Sequence, residues 1–338
     1  MKIVVTGAFG FIGSNLVHRL NQLGYKDIIA VDNLTNGNKI TNLSNAHIMD
    51  YIDKQDFIQE VLNGGFDNSV DYIFHQGACS STVETDGYYM MKNNYEYSSI
   101  LLEFAQKNEV PFLYASSASV YGDKTEFIED INYESPLNVY SYSKFLFDQL
   151  VRRYLDSNLT APIVGLRYFN VYGPNEYHKN QMASIVLHHF NQYKTKGVVK
   201  LFKGCKGIMD GEQTRDFIYV NDVIKVNLFF LNNYINDVKE ISGIFNCGTS
   251  KSRSYNSIAL STINSFRKIN GEEILTLNEA IKYGLIQYIE FPENLEKKYQ
   301  CKTEANLSKL RSLGFKDDFT KLEDGVFEYI SWLLKSNL

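Results

Sequence analysis

A chain of 338 residues with 44% hydrophobic and 22% charged residues has the composition of a folded globular protein, and at about 150 residues per domain it exceeds one core. A formal net charge of -5 leaves no basic excess, so nucleic acid is not the expected partner and any anionic substrate must be met by local Lys and Arg. The four cysteines, Cys79, Cys205, Cys247 and Cys301, stand far apart with no CxxC pair, and neither a metal site nor a disulfide framework is expected.

The chain opens directly on MKIVVTG, without the basic flank and apolar run of a signal peptide. No window approaches about 18 apolar residues, so neither export nor a membrane span is expected and the protein is read as cytoplasmic. Residues 2–6, KIVVT, predict a strand, and FIGSNLVHRLNQLG after the glycine turn predicts a helix that stops at Gly24. DIIAVDN at 27–33 predicts a second strand. A helix near 54–63, a strand in DYIFHQGA at 71–78, a long helix at 88–108 and a strand in VPFLYASS at 110–117 follow. Strands alternating with helices predict an α/β fold, a Rossmann-type doubly wound parallel sheet.

From Tyr140 the helix YSYSKFLFDQLVRRYL leads into a strand, APIVGLRYFNVYG at 161–173. Past residue 174 the alternation loosens: a helix in MASIVLHHFNQY, glycines at 204–211 and later helices predict a smaller, interleaved α/β domain for substrate. The expected division is 1–173 and 174–338, with segments near 216–248, such as VNDVIKVNLFFLNN, packing back onto the first domain.

Gly7, Gly10 and Gly13 stand at GxxGxxG between the first strand and first helix. Missing side chains there permit a tight turn and close approach of backbone to a pyrophosphate, which the helix N-terminus would face. Three glycines alone are a weak signal. Asp32, at the end of the second strand where a carboxylate can take adenosine ribose hydroxyls, strengthens it. Lys39 and Lys54 could neutralise a 2′-phosphate or be solvated surface charges.

Tyr140 and Lys144 lie four residues apart on a predicted helix, hence on one face. An ammonium there would lower the phenol pKa and make it a usable acid or base near neutrality. With 24 Tyr and 26 Lys, about two YxxxK matches are expected by chance. The other, Tyr88 with Lys92, reads as a surface or interface pair. Order in the chain selects Tyr140: ASSASVYG at 115–122 ends a strand at the sheet edge where open α/β sheets bind ligands, and Ser117 there could orient a hydroxyl or carbonyl towards Tyr140.

With these features in order the chain resembles the extended short-chain dehydrogenase/reductase (NAD-dependent epimerase/dehydratase) family. HQGACSST, YMMKNNYEYS, FLYASSASVYG, PLNVYSYSKFLFD, GLRYFNVYGP and HKNQMAS look like the corresponding stretches of its ADP-heptose 6-epimerase branch, from Lys2 to about Trp332. The resemblance implies an NADP-using isomerase, with NAD the other choice, that oxidises C6 of an ADP-linked heptose to a ketone and returns the hydride to the opposite face. It implies catalytic roles for Tyr140, Lys179, Lys144 and Ser117. For the cofactor it implies Gly7, Gly10, Phe11, Ile12, Gly13, Asp32, Asn33, Lys39, Lys54, Gln76, Gly77, Ala78, Cys79, Ser80, Asn93, Lys144, Val171 and Lys179. For substrate it implies Asn170, Gln181, His188, Phe202, Lys203, Gly204, Cys205, Arg215 and Tyr299. It further implies a cytoplasmic homo-oligomer, a pentamer, supplying lipopolysaccharide heptose.

Gln181 stands where the branch leads one to expect a serine, and the stretches CKGIMDGEQT and GEEILTLNEAIKYG are longer than its pattern. The alternatives are another nucleotide-sugar enzyme of this fold, such as a UDP-hexose 4-epimerase, or a non-catalytic dinucleotide sensor. Ser117, Tyr140 and Lys144 argue against a sensor. Ala118 and Ser119, in place of the Asp-Glu pair expected of a 4,6-dehydratase, argue against that enzyme.

Overall fold

The computed structural model describes residues 1–205, 207–237, 241–291 and 302–336. In chain order the strands and helices of its first part are β1 (Ile3–Thr6), α1 (Phe11–Gln22), β2 (Ile28–Asp32), β3 (Asp50–Asp53), α2 (Lys54–Leu62), β4 (Tyr72–His75), α3 (Gly87–Met90), α4 (Tyr97–Lys107), β5 (Phe112–Ser117), α5 (Val139–Leu155), β6 (Ile163–Tyr168) and β7 (Asn170–Tyr172). They continue with α6 (Ile185–Lys196), β8 (Val199–Phe202), β9 (Thr214–Tyr219), α7 (Val220–Ile235), β10 (Gly243–Cys247), β11 (Ser252–Ser254), α8 (Tyr255–Ile269), α9 (Leu277–Lys282), β12 (Ile286–Ile289), α10 (Ser308–Ser312) and α11 (Leu322–Lys335).

The apolar strands, covered on both sides by helices, make one seven-stranded sheet in the order β10-β6-β5-β4-β1-β2-β3, parallel throughout. Side chains two apart share a face. Ile3 and Val5 of β1, with Ile28 and Ala30 of β2, enter the core under α1 and α7. Val4, Ile29 and Val31 enter the opposite core with Phe57 of α2, Leu101 of α4 and Phe147 of α5. Being buried on both faces is why these strands read as continuous apolar runs. The doubly wound sheet is therefore as expected, and no described helix is long and apolar enough to cross a membrane.

Three local expectations change. The stretch 161–173 is two strands: β6 lies in the large sheet, whereas β7 joins β9 and β11 in a three-stranded sheet, the switch falling at the buried Phe169. The edge strand β3 (DYID) lacks a β-branched run and escapes the pattern. The long helix is interrupted between α3 and α4 by a π-helical segment, Met91–Glu96, a feature that often marks a functional site. β8 pairs β12 in a separate two-stranded ribbon, and α6, α8 and α11 enclose their own core around Phe190, Ile258 and Tyr329.

Within that core His189 is fully buried, and neither ring nitrogen has a hydrogen-bond partner among the described residues. Burial, with neighbouring His188, pushes its pKa down to about 3. Its contribution to stability is complete above the unfolded value of about 6.5 and drains away as pH falls towards 3. His189→Leu should therefore match or exceed the wild type at pH 7, by up to about 1 kcal/mol, and lose less stability between pH 6.5 and 4. Urea unfolding at several pH values checks this; an unchanged acid limb would contradict it.

Candidate active site

Chain direction around the sheet reverses between β1, which leads towards β2 and β3, and β4, which leads towards β5 and β6. The connecting segments part there, leaving a crevice at the carboxyl ends of the strands. A cavity of about 510 Å³ occupies it. Every cofactor candidate named from the sequence lines it, together with Ser117 and Tyr140. Thr6, Ser81, Tyr89, Tyr97, Tyr168, Phe169, His178 and Met182 line it as well. Sequence reasoning missed these; only adjacency to named motifs could have suggested them.

The glycine turn is pressed against the segment after β4. Gly7 has φ +66°, and a Cβ on it would stand 2.7 Å from the Cα of Gly77, while a Cβ on Gly13 would stand 2.1 Å from the Gly7 carbonyl oxygen. Helix α1 begins at this wall with Gly10 as N-cap, no capping side chain and no acidic residue in its first turn. By contrast α5, α6 and α8 are capped by Asn138, Ser184 and Ser254. Uncapped N–H groups at a glycine-lined wall fit a pyrophosphate, so the residues present suit a dinucleotide.

Asp32 accepts from the backbone N–H of Phe9 at 2.9 Å and of Asn33 at 2.7 Å. Its Oδ1 also pairs with the Lys39 ammonium at 2.5 Å, and Lys39 donates to the Asn33 carbonyl at 2.7 Å. Lys54 donates to the amide oxygen of Asn93 at 2.5 Å, a residue that the π-helical turn carries to the cavity wall. The next residue, Asn94, is fully buried. It bonds both the N–H and the carbonyl of Cys79, at 2.8 and 2.9 Å, and the Ser143 hydroxyl at 3.1 Å, so it ties the segment after β4 to α5.

At the other end of the cavity Ser117, Tyr140 and Lys144 come together as the sequence implied, but the electrostatics differ. Burial raises the Tyr140 pKa, opposed by a hydrogen bond from Ser117. The Lys144 ammonium donates to the Ala115 carbonyl at 2.7 Å, and burial lowers its pKa to about 8. The expectation that Lys144 draws the phenol pKa down is therefore corrected: desolvation of the phenolate dominates. One turn further along α5, the buried Asp148 accepts from Tyr114 at 2.8 Å, Ser116 at 3.0 Å and Arg167 at 2.8 Å, pinning the helix to β5 and β6.

Lys179 lies in the short 3₁₀ segment Tyr177–Met182, its ammonium 5.3 Å from the centre of the Phe11 ring. Burial lowers its pKa, with Glu176 acting the other way. Glu176 is itself fully buried and accepts from the backbone N–H and hydroxyl of Ser184, at 2.5 and 2.6 Å. That bond staples both ends of the segment while Asn180, next to Lys179, sits at φ +48°, a costly conformation for a residue with a side chain.

The model of the NAD dependent epimerase/dehydratase family matches residues 3–248. The chain belongs to this family. An ADP-L-glycero-D-manno-heptose-6-epimerase of Thiobacillus denitrificans is 54% identical over 333 residues, 98% of each chain. The crystal structure of the Helicobacter pylori ADP-L-glycero-D-manno-heptose-6-epimerase is similar with a TM-score of 0.78 at 30% identity, covering 98% of this chain and 96% of that one. That of a UDP-glucose 4-epimerase from Thermotoga maritima has a TM-score of 0.77 at 25% identity, covering 100% of both.

For this member of the epimerase/dehydratase family none of the described substrate candidates lines the cavity itself, although Asn170 and Gln181 are chain neighbours of residues that do. Asn170 begins β7, exposed. The His188 ring lies 3.4 Å from the Gln181 carbonyl. Phe202 stacks on Phe291 at 4.6 Å, Lys203 pairs with Glu290, the Gly204 N–H donates to Asp210 at 2.7 Å, and the buried Cys205 thiol lies 3.9 Å from the Gln213 amide. Arg215 is buried above the Tyr255 ring at 5.9 Å. The adjacent Asp216 carboxylate is engaged by Thr249, Ser250 and Ala305. Tyr299 lies outside the described residues.

Removing the staple should loosen the Lys179 segment. Glu176→Ala is expected to cost about 2–3 kcal/mol, the scale for bonds to a charged group, and to speed amide hydrogen exchange at 177–184 while leaving β1 and β2 protected. Uniform exchange across all these segments would refute the staple.

Proposed function

We propose that the chain interconverts ADP-D-glycero-D-manno-heptose and ADP-L-glycero-D-manno-heptose at C6, with NADP in the cavity between β1 and β4. Residues 1–173 serve mainly the dinucleotide and 174–338 mainly the sugar nucleotide. The observation that carries the reading is the 54% identity over 98% of both chains to a heptose 6-epimerase. The cavity that holds Ser117, Tyr140, Lys144 and Lys179 on its wall is consistent with it. A cytoplasmic location and homo-oligomeric assembly go with this reading.

A bound dinucleotide would supply reversible hydride transfer at C6, with no net redox change. The residues manage the proton. As a C6 hydroxyl becomes a ketone its proton needs an acceptor, and inverting the centre presents that hydroxyl from two sides. Tyr140 serves one side, with Ser117 donating to its oxygen and thereby favouring phenolate. Lys179 serves the other, since a buried ammonium gives up its proton more readily. Lys144, anchored on the Ala115 carbonyl, holds the cofactor ribose. The Lys39 ammonium offsets the Asp32 carboxylate, so a 2′-phosphate meets no unpaired negative charge and the pair admits NADP as well as NAD.

Incubating purified protein with ADP-D-glycero-D-manno-heptose and no added reductant should yield the L-glycero epimer, read by NMR or chromatography. No conversion with cofactor bound would move the substrate to another nucleotide sugar.

Tyr140→Phe should fold and bind NADP but epimerise about 10²–10⁴-fold more slowly, the range for loss of general acid–base catalysis. Near-normal turnover would sink its assignment. Lys179→Met should slow epimerisation comparably from both epimers, because each direction uses both proton-handling groups. A raised KM with unchanged kcat would instead make Lys179 a binding residue.

A further inference from the structure

His178 lines the cavity on the side of Asp32 and Lys39, and both charges act on it. Its tautomer can be read from its neighbours. The side-chain nitrogen of the buried Asn42 donates to the carbonyls of Phe9 and Asn175, at 2.9 and 3.2 Å. Those two carbonyls fix which end of the Asn42 amide is the NH₂. The same nitrogen lies 3.3 Å from Nδ1 of His178. That nitrogen cannot accept, so an Nδ1–H turned towards it would go unmet, whereas a bare Nδ1 can share one of the two amide N–H groups with a carbonyl; Nδ1 is therefore unprotonated and Nε2 carries the hydrogen. Burial, with the Lys39 and Lys179 ammoniums, holds the imidazole pKa down to about 4, against the pull of Asp32. At neutral pH the ring is an uncharged donor.

Lys39 has three N–H donors. Two are engaged, by Asp32 at 2.5 Å and by the Asn33 carbonyl at 2.7 Å. The Asp32–Lys39 pair is neutral as a unit, so it neither repels a phosphate strongly nor attracts one. Discrimination between a ribose with and without a 2′-phosphate therefore falls to donors placed beside the pair. A hydroxyl at the 2′ position can donate to Asp32, whereas a phosphate monoester offers only acceptors and requires N–H groups.

We propose that His178 is a specificity-determining residue for the cofactor, its Nε2–H acting with the remaining N–H of Lys39 to recognise a phosphate on the 2′ oxygen of the adenosine ribose. The inference rests on the reading of the cavity as an NADP site and names the residue that sets that preference.

The test measures dissociation constants for NADP and for NAD, by calorimetry, on cofactor-depleted wild-type protein and on two variants. His178→Asn keeps an acceptor close to the Nδ1 position for Asn42 but withdraws the Nε2 donor. His178→Gln reaches to the Nε2 position with an amide N–H. The expected result is tighter NADP than NAD binding by the wild type, NADP binding weakened about tenfold in His178→Asn, the scale of one bond to a charged group, NAD binding unchanged within about twofold, and recovery in His178→Gln. A wild type that prefers NADP, with His178→Asn shifting both cofactors alike or neither, overturns the role of His178 and leaves the NADP reading standing. A wild type that does not distinguish the cofactors overturns both. Should His178→Asn fail to fold, seen by its thermal transition, the NADP-to-NAD ratio of His178→Ala against His178→Gln decides in the same way.

Discussion

The parting of the sheet between β1 and β4 is the constraint on which the site depends. The connections on either side of these neighbouring strands wind away from one another, so no segment covers their carboxyl ends. Helix α1 must start there, because β1 ends there, and it starts on glycines that allow backbone contact at distances no side chain would tolerate. The residues after β2, β4, β5 and β6 reach the same crevice. None of these segments needs to know about the others; a parallel sheet delivers all of them to one edge.

Delivery to an edge does not fix a side chain to a fraction of an ångström, and three buried polar groups do that. Asp148 holds α5 against β5 and β6, through Tyr114, Ser116 and Arg167. Asn94 ties α5 to the backbone after β4 through Ser143 and Cys79. Glu176 closes the segment that carries Lys179. Each is buried and well bonded, as the cost of burying polar groups demands. Removing one partner from a buried charge pair such as Asp148–Arg167 costs about 3–5 kcal/mol, so the arrangement around Tyr140 is rigid for the same reason that it is hard to alter.

How far the sequence discloses this follows from which signals are local. The strands under two helical layers were legible because burial on both faces leaves unbroken apolar runs, and the cofactor wall was legible because its glycines and Asp32 sit at fixed offsets from those strands. β3 was not, since an edge strand needs no such run. Nor was the division of 161–173 into β6 and β7, because apolar residues suit either sheet and only tertiary pairing tells them apart. The π-helical turn that separates Asn93 from Asn94 leaves no mark on periodicity. His178 looks like one more loop residue beside Lys179, and only the Asn42 amide, 136 positions away, gives it a defined tautomer.

The Tyr140–Lys144 pair shows why spacing alone misjudges chemistry. Four residues on a helix place both groups on one face, and from that geometry a lowered phenol pKa follows if the ammonium's field dominates. In the folded chain Lys144 is buried and Tyr140 partly so, and loss of solvent penalises every charged form: it raises the phenol and lowers the ammonium to about 8. The two shifts have one cause and push the pair towards its neutral state, phenol and amine. Lys144 resists through the Ala115 carbonyl and the Asp148 carboxylate, and Tyr140 through Ser117. Lys144, at about 8, is the member of the pair whose protonation a modest added field can change, whereas the phenol, raised above its ordinary value, stays protonated near neutrality until a stronger field acts on it.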